Sequence, residues 1–162
     1  MSGKILILMG SKSDAEAMGE AARILESLGI PSDSTVASAH RSPARTQKLA
    51  RDAEGNGYSV IIAGAGAAAH LAGVVAAETV LPVIGVPLAS SPLSGLDSLL
   101  STAQMPGGVP VATMAVGKAG AQNAAYLAAQ ILALSDPKIR KKLKERRRKM
   151  AEAVAASAME IG

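Results

Sequence analysis

Short apolar runs that alternate with longer segments of helical period are the feature of this chain that most restricts its fold. Strand-like runs fall at Lys4–Met9, Ser34–Ser38, Tyr58–Ala63, Val83–Val86 and Val109–Met114. Helical periodicity fills Asp14–Leu28, Pro43–Gly55, Ala67–Thr79, Leu96–Ala103 and Gly120–Leu134. Strand–helix alternation at this spacing argues for a parallel sheet with helices on both faces. Helix starts carry their own signals. Ser13-Asp14-Ala15-Glu16 has the spacing of a capping box, and Ser42-Pro43 and Asp136-Pro137 each place a cap before a first-turn proline.

No repeat, low-complexity linker or break in composition divides the chain. The expectation is one domain over residues 1–162, with a core at 1–135 and a C-terminal helical arm at 136–162. With 49% hydrophobic residues in 162, the chain can bury a real core. It has no cysteine, which excludes a disulfide framework, a thiolate nucleophile and a Cys-based zinc site. The N-terminal apolar segment is too short for a signal sequence, and Pro82, Pro87, Pro92, Pro106 and Pro110 break the most apolar region before it could span a membrane. A soluble cytoplasmic protein is expected.

The formal net charge of +4 is unevenly placed. Nine of the 17 Lys and Arg residues lie between Lys138 and Lys149, leaving 8 basic and 10 acidic side chains in residues 1–137. Through the basic stretch Ile139, Leu143, Met150, Val154 and Ala158 recur at helical spacing, as in a helix that docks one apolar stripe and leaves its charges in water. Tyr58 and Tyr126 are the only aromatics on which bases could stack, so no nucleic-acid partner is expected.

Five parallel strands wound right-handedly commonly take the order 2-1-3-4-5 and bind ligands beyond the carboxyl ends of the central strands. Three loops should meet there: Gly10-Ser11-Lys12-Ser13-Asp14, Ser38-Ala39-His40-Arg41-Ser42 and Gly64-Ala65-Gly66 through His70. The first offers hydroxyls, amides and a helix N-terminus suited to a phosphate, although Ser11 and Ser13 could equally serve as caps. Asp14 fits the first turn of a helix or the hydroxyls of a ribose. His40 is one of only two imidazoles, the group that titrates near neutrality, and Arg41 brings a fork suited to phosphate or carboxylate. The third loop satisfies a dinucleotide fingerprint only formally, following the wrong strand and lacking the acidic residue downstream. Its small residues suit close backbone approach to a substrate, while His70, placed one or two turns into a helix, suits packing or capping. There is no Walker A spacing, no serine-nucleophile elbow and no third ligand to make a metal site of the two histidines.

Taken in order, Met9-Gly-Ser-Lys-Ser-Asp14, Ser38-Ala-His-Arg-Ser-Pro43, Ile62-Ala-Gly-Ala-Gly66 with Ala69-His-Leu71, Leu81-Pro-Val-Ile-Gly-Val-Pro87, Gly95-Leu-Asp-Ser-Leu-Leu-Ser101, Gln104-Met-Pro-Gly-Gly-Val-Pro110 and Asn123 through Leu132 resemble the class I N5-carboxyaminoimidazole ribonucleotide mutases. The resemblance runs from about Lys4 to Leu134. It implies a flavodoxin-like three-layer α/β fold and an octamer, with no cofactor, metal or ATP. It also implies movement of a carboxyl group from the exocyclic nitrogen to ring carbon C4 of aminoimidazole ribonucleotide in purine synthesis. His40 falls on the family's catalytic position, and Ser11, Asp14 and Arg41 fall on substrate-binding positions, with Ser13, Ser38 and Gly66 beside them. The chain departs from the family's usual Thr at Ser42, Gly at Ala67 and Pro at Ala72. The class II branch, which carboxylates the ribonucleotide with free carbon dioxide, and a non-catalytic nucleotide-binding module are the alternatives. A relative acting on nicotinate nucleotides usually carries an extra N-terminal domain.

Overall fold

A computed structural model describes residues 3–159, the side chains of Ala158 and Met159 excepted, so the Ala158 position in the expected arm stripe lies outside the described residues. The chain runs β1 (Lys4–Met9), a single 3-10 turn (Lys12–Asp14), α1 (Ala15–Ser27), β2 (Ser32–Val36), α2 (Pro43–Asp52), β3 (Tyr58–Gly66) and α3 (Leu71–Ala76). It continues through β4 (Val83–Leu88), α4 (Leu96–Ala103), β5 (Ala112–Thr113), α5 (Lys118–Leu132) and α6 (Pro137–Met159). All strand pairs are parallel, in the order β2-β1-β3-β4-β5, as expected. Ile7 stands beside Ile62, and Ile62 beside Ile84, across the three central strands.

Alternation along these strands divides the core between the two faces of the sheet. Ile5, Ile7, Val60, Ile62, Ile84 and Val86 belong to one buried cluster with Met18, Ala21 and Leu25 of α1 and Ala121, Ala124, Ala125 and Ala128 of α5. Leu6, Leu8, Ile61, Ala63 and Val83 belong to the other, with Ala50 of α2 and Leu71, Ala72 and Val75 of α3. The helices approach closely because the contacts are small. A Cβ at Gly64 would stand 2.2 Å from Sδ of Met18, so only glycine lets α1 seat its methionine on the sheet there.

Several boundaries differ from the sequence expectation. Strand β2 lies two residues earlier than Ser34–Ser38, which frees Ser38 for the following loop. Strand β3 continues to Gly66, three residues beyond the expected end, because pairing with β4 extends to Gly66 opposite Leu88. Helix α3 therefore starts at Leu71 rather than Ala67. Only Ala112 and Thr113 of the expected Val109–Met114 strand pair with the sheet, since β5 is an edge with one neighbour.

The expected capping box is absent. Ser11, not Ser13, caps the turn: its hydroxyl oxygen accepts from the Ser13 amide at 3.3 Å and the Ser13 hydroxyl at 2.9 Å, while Glu16 turns outward to Lys118. The 3-10 turn inserted before α1 displaces the cap by two residues. Ser42 occupies the N-cap position of α2 before Pro43, but its hydroxyl turns back to Ser38 and makes no cap bond. Asp136 does cap α6, accepting from the Lys138 amide at 2.8 Å and the Ile139 amide at 3.3 Å.

Helix α6 docks only by its first turns. Ile139 is buried, Leu143 is half-buried, and Arg140 donates to the Ala133 and Leu134 carbonyls that end α5. Further along, Met150 and Val154 are 48% and 71% exposed, so among the described residues the second half of the expected stripe is left largely uncovered.

Candidate active site

The carboxyl ends of β1, β2, β3 and β4 open on one cleft of about 220 Å3 lined by Ser11, Ser13, Asp14, Ser38, His40, Arg41 and Gly66, so every sequence-derived site residue is brought together. Parallel strands make this unavoidable, since all four loops leave the sheet at the same edge. Strand β1 hands its chain to the Gly10–Asp14 loop, held to β3 by the Gly10 amide donating to the Gly64 carbonyl at 3.0 Å. Arg41 bridges this loop to the next: Nη2 donates to the Gly10 carbonyl at 3.1 Å and Nε to the Ser38 hydroxyl at 3.4 Å. Ser38 also accepts from the Arg41 amide at 3.1 Å, while its own amide donates to Ser42 Oγ at 3.1 Å. The His40–Arg41 loop is thus closed on itself by two serines, and the side chains of His40 and Arg41 remain exposed.

Asp14 is buried at the mouth of α1. Desolvation pushes its carboxyl above the usual carboxylate value, with the Ser11 backbone and the Arg41 charge pulling the other way. The helix N-terminus, the Ser11 and Ser13 hydroxyls and the Arg41 guanidinium concentrate positive potential and donors at one end of the cleft, a setting for a phosphate.

The other end is formed by the loop after β3. Ala67 has φ 51°, in the left-handed region that glycine enters freely and alanine does not. Two tight turns follow, the Ala69 amide donating to Ala67 and the His70 amide to Ala68, each at 2.8 Å. They bring His70 to the residue just before α3, not one or two turns inside it, and its side chain makes no cap hydrogen bond. It is neither packed nor capping. Nδ1 of His70 lies 2.8 Å from Nε2 of His40, across 30 residues of sequence. A helix begun at Ala67 would hold His70 within its first turns; with α3 starting at Leu71 the loop after β3 brings His70 against the loop after β2, and no signal within either segment marks the pair.

Ser90, two residues beyond β4, also lines the cleft. In Leu88-Ala-Ser-Ser-Pro92 nothing marks it as more than a loop serine, and only the adjacency of β4 to β3 could have found it. A larger groove of about 490 Å3 between α5 and α6 is lined by Tyr126, Leu134, Arg140, Arg147 and Met150 and holds none of these residues. Among the described residues no helix is long and apolar enough to cross a membrane.

Comparison with known proteins agrees with this architecture. The family model described as AIR carboxylase matches residues 4–153. The N5-carboxyaminoimidazole ribonucleotide mutase of Brucella melitensis is 55% identical over 155 residues, 96% of either chain. The protein of that name from Bacillus subtilis is 54% identical over the same share, and that from Escherichia coli K12 is 54% identical over 93% of this chain and 89% of its own. The solved structure of Treponema denticola PurE superimposes with a TM-score of 0.88 at 27% identity, covering 97% of each chain. On the family match and on these relatives, the chain belongs to the AIR carboxylase family.

Proposed function

We propose that the protein converts N5-carboxyaminoimidazole ribonucleotide to its C4-carboxylated isomer in purine synthesis, without ATP or cofactor. Its relatives at about 55% identity carry that name, and the observation that carries the reading is the cleft itself. It pairs an imidazole, His40, with a second imidazole at one end and a cationic, amide-rich phosphate setting at the other. In this reading Arg41, Ser11 and Ser13 hold the phosphate and Asp14 accepts from the ribose hydroxyls. Ser38 sets the Arg41 loop, and the backbone around Gly66 approaches the carboxyl group.

Chemically, the carbamate nitrogen–carbon bond breaks as His40 delivers a proton to the nitrogen, releasing carbon dioxide and the neutral aminoimidazole. C4 then attacks the retained carbon dioxide, and the same imidazole removes the C4 proton, restoring the ring and the protonated histidine. The net change is an isomerisation. His70 orients His40 throughout, and water exclusion keeps the carbon dioxide in place.

The protein is further proposed to act in the cytoplasm as a homo-oligomer, an octamer by family resemblance, with the arm from Asp136 serving assembly. Between Glu78 and Lys118 the only charge is Asp97, and in that stretch Leu93 and Leu96 are 62% and 57% exposed. Such a surface on a single chain is that of an obligate interface. Nucleic acid is not a proposed partner, because much of the basic charge of α6 is committed: Arg148 to Glu145 and Glu152, Arg140 to the end of α5, Lys142 to the Leu28 carbonyl and Arg146 to the Tyr126 ring.

The deciding experiment incubates the purified protein with the N5-carbamate in the absence of ATP and follows the C4-carboxylated product. Conversion supports the mutase. Conversion only of unmodified aminoimidazole ribonucleotide with bicarbonate identifies a class II carboxylase instead, and binding without any turnover identifies a nucleotide-binding module.

A further inference from the structure

The order of the sheet arranges the cleft in a line. The Arg41 loop comes from β2, the Ser11 loop from β1, the Gly66 loop from β3, and beyond them lies the residue that leaves β4, Ser90. Strand β4 stops at Leu88, and the Ser90 amide donates back to the Leu88 carbonyl at 3.2 Å, a tight turn that fixes the serine against its neighbouring strand. There it fills the space that glycine leaves open. A Cβ at Gly66 would lie 1.7 Å from Oγ and 2.7 Å from Cβ of Ser90, so the serine rests directly on the Gly66 backbone.

The hydroxyls around the cleft are not equivalent. Ser11 accepts from Ser13, Ser13 donates to Ser11, Ser38 accepts from Arg41, and Ser42 donates to the Ser38 carbonyl. Ser90 differs from them: among the described residues its hydroxyl makes no hydrogen bond, and it stands exposed in the cleft after β4, three strands from β2, whose loop carries Arg41. A donor with no internal partner, fixed beside small residues that allow close approach, is placed to serve a ligand oxygen.

We infer that Ser90 donates its hydroxyl hydrogen to the migrating carboxyl group, as the side-chain counterpart of the backbone around Gly66. The inference rests on the reading of the cleft given above, in which Arg41, Ser11 and Ser13 hold the phosphate and the backbone around Gly66 approaches the carboxyl group. Ser90 recognises the carboxylate and not the ribonucleotide that bears it. Its loss therefore falls on carboxylated ligands alone.

The test compares two ligands on the full-length protein. Dissociation constants of the C4-carboxylated ribonucleotide and of unmodified aminoimidazole ribonucleotide are measured by titration calorimetry for the wild type and for Ser90→Ala, which keeps the Cβ and removes only the hydroxyl. The expected result is about a tenfold weaker hold on the carboxylated ligand, the scale of one hydrogen bond to a charged group, with the unmodified ligand changed by less than about twofold. A variant in which both affinities fall together, or neither falls, overturns the role of Ser90 while leaving the reading of the cleft standing. A wild-type protein that binds neither ribonucleotide overturns that reading, and the role of Ser90 with it.

Discussion

Nε2 of His40 and Nδ1 of His70 lie 2.8 Å apart, with the two rings edge to face at 82° and their centroids 4.9 Å apart. At that distance one nitrogen donates and the other accepts, so the tautomer of either ring dictates that of its partner. Among the described residues Nδ1 of His40 makes no hydrogen bond, and in the proposed reaction it is the atom that exchanges a proton with the substrate. His40→Asn is expected to bind ribonucleotide while losing turnover by about 10²–10⁴-fold, the contribution of a positioned acid–base group. His70→Leu should lower kcat with KM within about twofold, and His70→Asn, which can still hydrogen-bond, should recover part of the loss. Wild-type kcat and pH–rate profile in His70→Leu would remove it from the mechanism.

Arg41 joins the loops after β1 and β2 and faces the phosphate setting, so Arg41→Leu is expected to weaken ribonucleotide binding by about ten- to a hundredfold, the equivalent of about 1.5–3 kcal/mol for a charged hydrogen-bonding partner. Arg41→Lys should recover only part of this, because an ammonium cannot reach both Gly10 and the ligand as a fork does. Calorimetric affinities equal to wild type for Arg41→Leu would make Arg41 a surface residue.

Asp14 stands out because burial raises its carboxyl pKa in the folded protein. The folded state then holds this proton more firmly than the unfolded chain, so its contribution to stability declines as pH rises from the unfolded value, about 3.9, through the higher folded value, and stays unfavourable at neutrality. Asp14→Asn should therefore melt at a higher temperature than wild type at pH 7, lose that advantage below about pH 4 and bind ribonucleotide more weakly. A lower melting temperature at pH 7 would show that the carboxylate serves the fold.

Ala67 holds a left-handed backbone at φ 51°, a conformation that costs an alanine about 1–2 kcal/mol. Ala67→Gly relieves the strain but widens the unfolded ensemble, so a net gain of about 0.5–1 kcal/mol is expected in denaturant unfolding. A loss of stability would mean that the Ala67 methyl contributes packing worth more than the strain it carries.

Assembly predicts a particle far larger than one 16.3 kDa chain by light scattering at micromolar concentration. Truncation at Ser135 removes the arm and should reduce both particle mass and activity. A monomer for the intact protein would refute assembly, and a full-sized oligomer after truncation would refute only the role of the arm.

The strand–helix alternation determined the layers, and the order 2-1-3-4-5 followed from it because right-handed parallel crossovers leave few other arrangements. His40, Arg41, Ser11 and Asp14 were legible for the same reason: a residue just beyond a parallel strand must reach the same edge as its neighbours, whatever the details of its loop. Loop geometry itself was not legible. The capping hydroxyl belongs to Ser11 because an inserted 3-10 turn shifts the helix start, and no residue pattern in that loop encodes the inserted turn. His70 and Ser90 escaped the sequence reading because their positions follow from pairing between β3 and β4. That pairing extends β3 to Gly66, forces Ala67 into a strained turn, and sets one histidine against His40 and one serine against Gly66. Such contacts join residues 24 and 30 positions apart in sequence at van der Waals and hydrogen-bond range, and no periodicity within one segment encodes them.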